Sequence, residues 1–200
     1  MRREMVQMFL VSNMVTKLVE TKFKTKQDGK ILIKLESENP TGSIKDRMAS
    51  KLLSSLLASG KINKDTVVVE ASSGNTGIAL AAACQKLGLK LLICMAATVQ
   101  QAKQDKIKFY GADVKTFDNT KNSEAEIDAA RDFGEKPGYY FINQFENQLQ
   151  VAAYQESVGV ELLSELDSAI NNLVMGIGTG ALVYVAENLI ETEGLLSSCE

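Results

Sequence analysis

Short runs of aliphatic and β-branched residues alternate with amphipathic helical segments along this chain, which predicts an α/β fold whose parallel sheet is covered on both faces. Helix start and stop residues at the joints, and a composition of 45% hydrophobic and 24% charged residues, support that class over a disordered or fibrous one. In chain order, 30–35 (KILIKL) reads as the first strand. From Asp46 to Ser59, Met48, Ala49, Leu52, Leu53, Leu56 and Leu57 form one apolar stripe, and Gly60 stands where a helix-ending glycine belongs. A strand at 66–70 (TVVVE) leads into an Ala-rich helix, IALAAACQKLG, and a strand follows at 90–95 (KLLICM). Thr98 with Gln101, and Ser123 with Glu126, fit the capping-box pattern and predict two helices that stop at Gly111 and Gly134. A strand at 112–117 (ADVKTF) lies between them. A longer helix over 148–166 is expected to bury Leu149, Ala152, Ala153, Val160 and Leu163, and 171–175 (NNLVM) reads as the last strand before the helical ALVYVAENLIE.

Composition narrows the chemistry. The 200 residues contain no His and no Trp, which excludes a Ser-His-Asp triad, a Cys-His dyad and a His-ligated zinc site. A catalytic base must then be Lys, Asp, Glu, Tyr or Cys. The net charge of −3 argues against a nucleic-acid groove, and no apolar run approaches the ~20 residues of a membrane span. Cys84, Cys94 and Cys199 have no metal-ligand spacing, and the first two sit in apolar runs. They read as buried free thiols in a reducing compartment, so a cytoplasmic location is expected. The opening MRREMVQMFLVSNMV reads as a lead-in and not as a secretory signal. Pro40 and Pro137 are the only prolines, and no linker or repeat divides the chain.

Ligands of α/β sheets bind beyond the carboxyl ends of strands, where loops enter helices. Three such junctions have unusual residues. In ENPTGSIKDR (38–47), Pro40 and Gly42 shape a turn and Lys45 opens a helix. The positive end of the helix dipole, with some burial, would lower the basicity of that amine and leave it able to condense with a carbonyl compound. An ordinary solvated lysine is the alternative. In EASSGNTG (70–77), glycines and hydroxyls before a helix can expose N–H groups to a carboxylate or phosphate, or serve simply as an N-cap through Asn75 or Thr76. In GIGTG (176–180), strand, glycine loop and helix follow the phosphate-cradle layout. The loop lacks the third glycine of a dinucleotide fingerprint and any P-loop lysine.

In this order and spacing the three junctions resemble the fold-type II pyridoxal-phosphate enzymes, closest to the cysteine synthase (O-acetylserine sulfhydrylase) and cystathionine β-synthase branch. KLESENPTGSIKDR is similar to that family's cofactor-lysine segment and EASSGNTGIALA to its substrate loop, while TKLVE (16–20), KFYGADV (108–114) and NQFEN (143–147) also fall in place. The resemblance, from about Thr16 to Glu191, implies two three-layer αβα domains. The smaller, substrate-loop domain would span 37–146. Residues 1–36 and 147–200 would form part of a larger cofactor-phosphate domain, left incomplete because the family's remaining C-terminal portion is not in this sequence. Such an opened sheet would expose an apolar edge.

The resemblance further implies pyridoxal 5'-phosphate as cofactor. Lys45 would be its Schiff-base lysine and would move the Cα proton. Asn75 would bond the ring's 3′ oxygen, and Gly176, Gly178, Thr179 and Gly180 would hold the phosphate. Ser72, Ser73, Gly74, Asn75, Thr76 and Gln144 would bind the carboxylate of a small amino-acid substrate. The implied reaction is a transferase or lyase chemistry of cysteine biosynthesis, a β-replacement that turns O-acetylserine and sulfide into cysteine and acetate. A serine or threonine dehydratase, a related synthase, and a non-catalytic binding homologue stay open as alternatives. Dimers are the family habit, so a homodimer is expected. The chain departs from the family pattern at Lys17, Ala71, Ser72, Ala96, Ala181 and Leu182. Leu182 has no hydroxyl for a phosphate.

Overall fold

The structure is a computed structural model that describes residues 15–118, 120 and 122–186. The opening lead-in to residue 14, residues 187–191 of the final helical segment and Cys199 lie outside the described residues. Strands β1 (Leu18–Lys24) and β2 (Lys30–Lys34) form an antiparallel hairpin. Then come α1 (Lys45–Ala58), β3 (Val67–Ala71), α2 (Asn75–Leu87), β4 (Lys90–Ala96), α3 (Gln101–Phe109), β5 (Asp113–Phe117), α4 (Ala125–Gly134) and β6 (Tyr139–Phe141). Helices α5 (Leu149–Tyr154) and α6 (Val160–Glu165) are joined by a π-helical turn, Gln155–Gly159.

Strands β3 to β6 make one parallel sheet in the order β5-β4-β3-β6. Side chains alternate across a strand. Val68, Leu91, Ile93 and Met95 therefore face α1, α2 and α3 and join a core with Met48, Leu52, Leu53 and Leu80. Val69, Ala71 and Cys94 face the other way, against Ala130 of α4. The three layers predicted from the alternation are thus present in this part of the chain. After β3 the chain adds β4 and β5 on one side, then returns to place β6 on the other. The carboxyl ends of β3 and β6 consequently flank a switch point, the place where α/β sheets open a ligand crevice.

The sequence-predicted helix end at Gly60 is present: Gly60 adopts φ +73° and donates to the Leu57 carbonyl at 3.1 Å. Four expectations need correction. Neither capping box forms, since α3 follows Gln100 and α4 follows Glu124 as cap residues, without a side-chain cap bond at either. Asn122 organises the second start instead, its Oδ1 accepting from the Glu124 N–H at 3.0 Å. Residues 171–175 are not a strand. Val174 is 92% exposed there, and no neighbouring strand among the described residues offers that backbone a ladder. Finally, Val160 is exposed because the π turn inserts a residue. Beyond Ala153 and Tyr154 the buried positions become Val158 and Leu162. Strands β1 and β6 were absent from the sequence prediction; β6 is a three-residue strand, too short to show a period.

A buried ion cluster joins α1 to the hairpin and to α6. Arg47, 2% exposed, contacts Glu36 at 2.7 Å and Glu161 at 2.5 Å. Lys34 of β2 bridges Glu161 at 2.9 Å and Glu165 at 2.7 Å. Burial alone would lower the Arg47 pKa, but its bonds to Glu36 and Glu161 outweigh that and raise it. The Glu161 carboxyl, also penalised by burial, is held below its usual range by Arg47 and Lys34.

Candidate functional site

Lys45 is the first residue of α1, where the preceding turn is closed from both sides. Gly42, at φ +93°, donates to the Asn39 carbonyl at 2.8 Å. Asp46 reaches back to accept from the Thr41 N–H at 2.9 Å and its hydroxyl at 2.8 Å. The turn fixes the Lys45 backbone, and burial lowers the pKa of its amine. The Nζ stands 5.9 Å from the centre of the Tyr154 ring. The sequence expected this depression from dipole and burial together; in the structure burial is the cause.

Lys45 opens onto a cleft of about 130 Å³ whose walls include Tyr154, Leu182 and the run Gly176–Gly180. No atom lies within 4 Å of where a Cβ would stand on Gly176, Gly178 or Gly180, so the space beside this backbone is open. None of the N–H groups from Gly176 to Leu182 finds a main-chain partner among the described residues. The chain turns helical over 183–186 immediately afterwards. A desolvated amine facing a run of free N–H donors at a helix start suits a ligand that carries both a carbonyl and an anionic group.

The second cluster sits at the switch point. Ser72 is buried, and its Oγ accepts from the N–H groups of Gly77 at 2.9 Å and Gly74 at 3.3 Å. Ser72, and neither Asn75 nor Thr76, therefore ties down the start of α2. Gly74 is the cap residue, and Ser73 and Asn75 are exposed. Thr76 donates its hydroxyl to Gln144 Oε1 at 2.8 Å, and Gln144 Nε2 donates to the Ala71 carbonyl at 3.0 Å. The structure thus brings Ser72, Thr76 and Gln144 together, and separately gathers Lys45 with Gly176, Gly178, Thr179 and Gly180. The walls of the Lys45 cleft do not include 72–76 or Gln144.

Three residues at the site escaped the sequence reading. Glu70, next to last in β3, is fully buried, its two oxygens accepting from the Ala71 N–H at 2.8 Å and the Gln144 N–H at 3.2 Å. Desolvation pushes its carboxyl up to about 8, partly offset by those two donors. A lone acid ending TVVVE was the available signal. Tyr154, 2% exposed, forms a wall of the Lys45 cleft, and its hydroxyl has no partner among the described residues. Gln150, the third, had no local signal. Burial raises the thiols of Cys84 to about 12 and Cys94 to about 11, so both are inert free thiols.

Fold and cleft together define a class: an α/β protein with a partly buried lysine at a helix start beside an open run of glycine backbone. A family model described as pyridoxal-phosphate dependent enzyme matches residues 12–185, and the chain belongs to that family. Its architecture is fold-type II, and pyridoxal phosphate is the family's cofactor. The amine, the open glycine backbone and the free N–H donors fit that group. Cysteine synthase B of Campylobacter jejuni is 35% identical over 154 residues, which are 76% of this chain and 52% of the relative. A hydrogen sulfide-producing enzyme from Fusobacterium nucleatum superposes with a TM-score of 0.86 at 31% identity, over 96% of this chain and 60% of that one. An O-acetylserine-dependent cystathionine β-synthase from Helicobacter pylori gives 0.82 at 29% identity, over 95% and 63%. The chain spans about half the length of the curated relative. No described helix is long and apolar enough to cross a membrane.

Proposed function

We propose that this chain carries the cofactor and substrate loops of a β-replacement enzyme of the cysteine synthase type, exchanging the acetate of O-acetylserine for sulfide to give cysteine. The observation that carries this reading is the Lys45 amine, its pKa lowered by burial, in one cleft with Gly176–Gly180. Similarity to cysteine synthases and to an O-acetylserine-dependent synthase supports the substrate class. Pyridoxal phosphate, when bound, supplies the aldehyde that meets the amine and a conjugated ring that takes up the electrons left at Cα.

This chain's residues would divide the work. Lys45 Nζ anchors the cofactor and holds or returns the Cα proton, which a lysine of depressed pKa does more readily than a solvated one. Gly176, Gly178, Thr179 and Gly180 turn N–H groups to the phosphate. Ser72, Ser73, Gly74, Asn75 and Thr76, with Gln144, would hold the substrate carboxylate at the start of α2, and Asn75 would bond the ring oxygen of the cofactor. Tyr154 and Leu182 wall the cleft with apolar surface and limit water. Residues 37–146 would act as the substrate domain, with 1–36 and 147–200 belonging to the cofactor domain. The buried free thiols Cys84 and Cys94 suit a cytoplasmic setting, and the family habit suggests a homodimer.

Borohydride reduction in the presence of pyridoxal phosphate tests the reading. The cofactor should be trapped on Lys45 in the wild-type chain, and Lys45→Ala should abolish both the adduct and the visible absorbance band. A wild-type chain left unmodified at Lys45 rejects the proposal. Release of an oxoacid from serine or threonine, without cysteine formation from O-acetylserine and sulfide, would assign the dehydratase alternative instead.

A further inference from the structure

We propose that Gln150 is a positioning residue that couples the 176–180 glycine loop to the Ser72–Thr76 loop, so that ordering one orders the other. The inference rests on the reading of these loops as cofactor and substrate holders, and the geometry extends it. Gln150 is the second residue of α5 and is 4% exposed. Both ends of its amide are engaged: Nε2 donates to the Gln144 carbonyl, and Oε1 accepts from Thr179 Oγ1 at 2.8 Å. The carbonyl of Gln144 can only accept, so the amide cannot be flipped and the Thr179 hydroxyl must be the donor to Gln150. The Thr179 proton is thereby committed, leaving main-chain N–H groups as the loop's donors to an anion.

The line continues beyond Gln144. Its Oε1 accepts from Thr76, its Nε2 donates to Ala71, and its own N–H is held by Glu70. Thr179, Gln150, Gln144 and Thr76 therefore form one hydrogen-bonded line, passing through the main-chain carbonyl of Gln144, from the wall of the Lys45 cleft to the start of α2. Gln150, Gln144 and Thr76 are all buried, so water cannot readily replace a lost partner, and each break leaves a polar group unsatisfied. Among the described residues, the Thr179 bond to Gln150 is the only hydrogen bond from 176–180 to another element. That one hydrogen-bonded tether ends on Gln150, which Gln144 connects to Thr76 of the substrate loop.

Amide hydrogen exchange on the full chain without cofactor tests the coupling. Thr179→Val keeps the side-chain shape and removes the donor. It should speed exchange at Gly77 and Ile78, at the far end of that line, by roughly fivefold to tenfold, the scale of one buried hydrogen bond. Gln150→Met should do the same, and the double variant no more than either alone. Gln150→Glu, which keeps an acceptor for Thr179 but loses the donor to Gln144, should speed exchange at Gly77 while leaving Thr179 tethered. A change confined to 176–182 in Thr179→Val, or additive effects in the double variant, overturns the proposal. With pyridoxal phosphate added, the wild-type chain should slow exchange in both loops and Gln150→Met only in 176–182; equal slowing in both variants also overturns it. If the wild-type chain forms no adduct at Lys45, the proposed function fails, and the cofactor-free comparison still decides the coupling.

Discussion

The two loops flanking Lys45 grow from different ground. The Ser72–Thr76 loop leaves β3, a strand paired on both sides by β4 and β6 and packed by helices on both faces. The Gly176–Gly180 loop, itself exposing Ile177, leaves a stretch, 171–175, that has no strand partner among the described residues and exposes Val174. Both begin as an apolar run followed by glycine and hydroxyl residues. The first is rigid because its backbone hydrogen bonds and side chains are satisfied by neighbours remote in sequence. The second lacks strand neighbours among the described residues; Leu173, Met175 and Ala181 pack its flanks on the core, and its hydrogen bond to another element runs through Thr179. A motif supplies donors to a site; the surrounding sheet supplies precision.

The largest expected effect comes from cutting the connection between the two regions. Arg47 ties α1 to Glu36 and, through Glu161, to α6. Arg47→Ala leaves the Glu36 carboxylate without its cation and Glu161 with Lys34 alone, a loss of about 3–5 kcal/mol. Urea unfolding should show it, and a loss below about 1 kcal/mol would mean that the regions are not joined here. Slightly smaller is Leu53→Ala. Leu53 is fully buried between α1 and the sheet, and the transfer and cavity costs together predict a loss of about 2–5 kcal/mol.

These contrasts mark how far the sequence was legible. The strands VVVEA and KLLICMA, the α1 stripe and Gly60 were readable because local period and central burial agree there. NNLVM has the same apolar character, yet strand pairing depends on a partner that a local pattern does not contain. The shift from Val160 to Leu162 was hidden because a π turn has no composition cue. At the site, Lys45 and both glycine-rich loops could be found from motif residues alone. Gln150 and Tyr154 could not, since their roles come from a helix folding back across the cleft and not from their neighbours in sequence. Ser72 was read as a substrate contact, while its role as the tie for α2 needed the loop's conformation.

Glu70 gives a pH-dependent sharpening of the comparison, confined to the paired region. Its carboxyl is pushed up by burial from the ordinary 4.5 to about 8. Between those values the folded chain keeps a proton that the unfolded chain has released. Stability from this group is therefore full below pH 4.5 and falls as pH rises towards 8, at up to about 1.4 kcal/mol per pH unit. Unfolding free energies measured from pH 5 to 8 should show this decline in the wild-type chain and a flatter profile in Glu70→Gln. Parallel profiles would mean that Glu70 is ionised and solvated, and that the end of β3 is looser than its packing indicates.

The smallest effect is the most discriminating. Val174 is almost wholly in solvent, so Val174→Ala removes apolar surface that folding does not bury and should change stability by less than about 0.5 kcal/mol. Val68, at the centre of β3 and fully buried, is the control: truncation to Ala there should cost several-fold more. Should Val174→Ala cost as much as Val68→Ala, residues 171–175 pack in solution and the contrast between the two loops disappears. Repeating the measurement at two protein concentrations separates the causes. A cost that grows with concentration means that a second copy covers Val174, whereas a constant cost means that the chain covers it itself. In either case the glycine loop would rest on a paired strand, and its dependence on Thr179 and Gln150 would weaken accordingly.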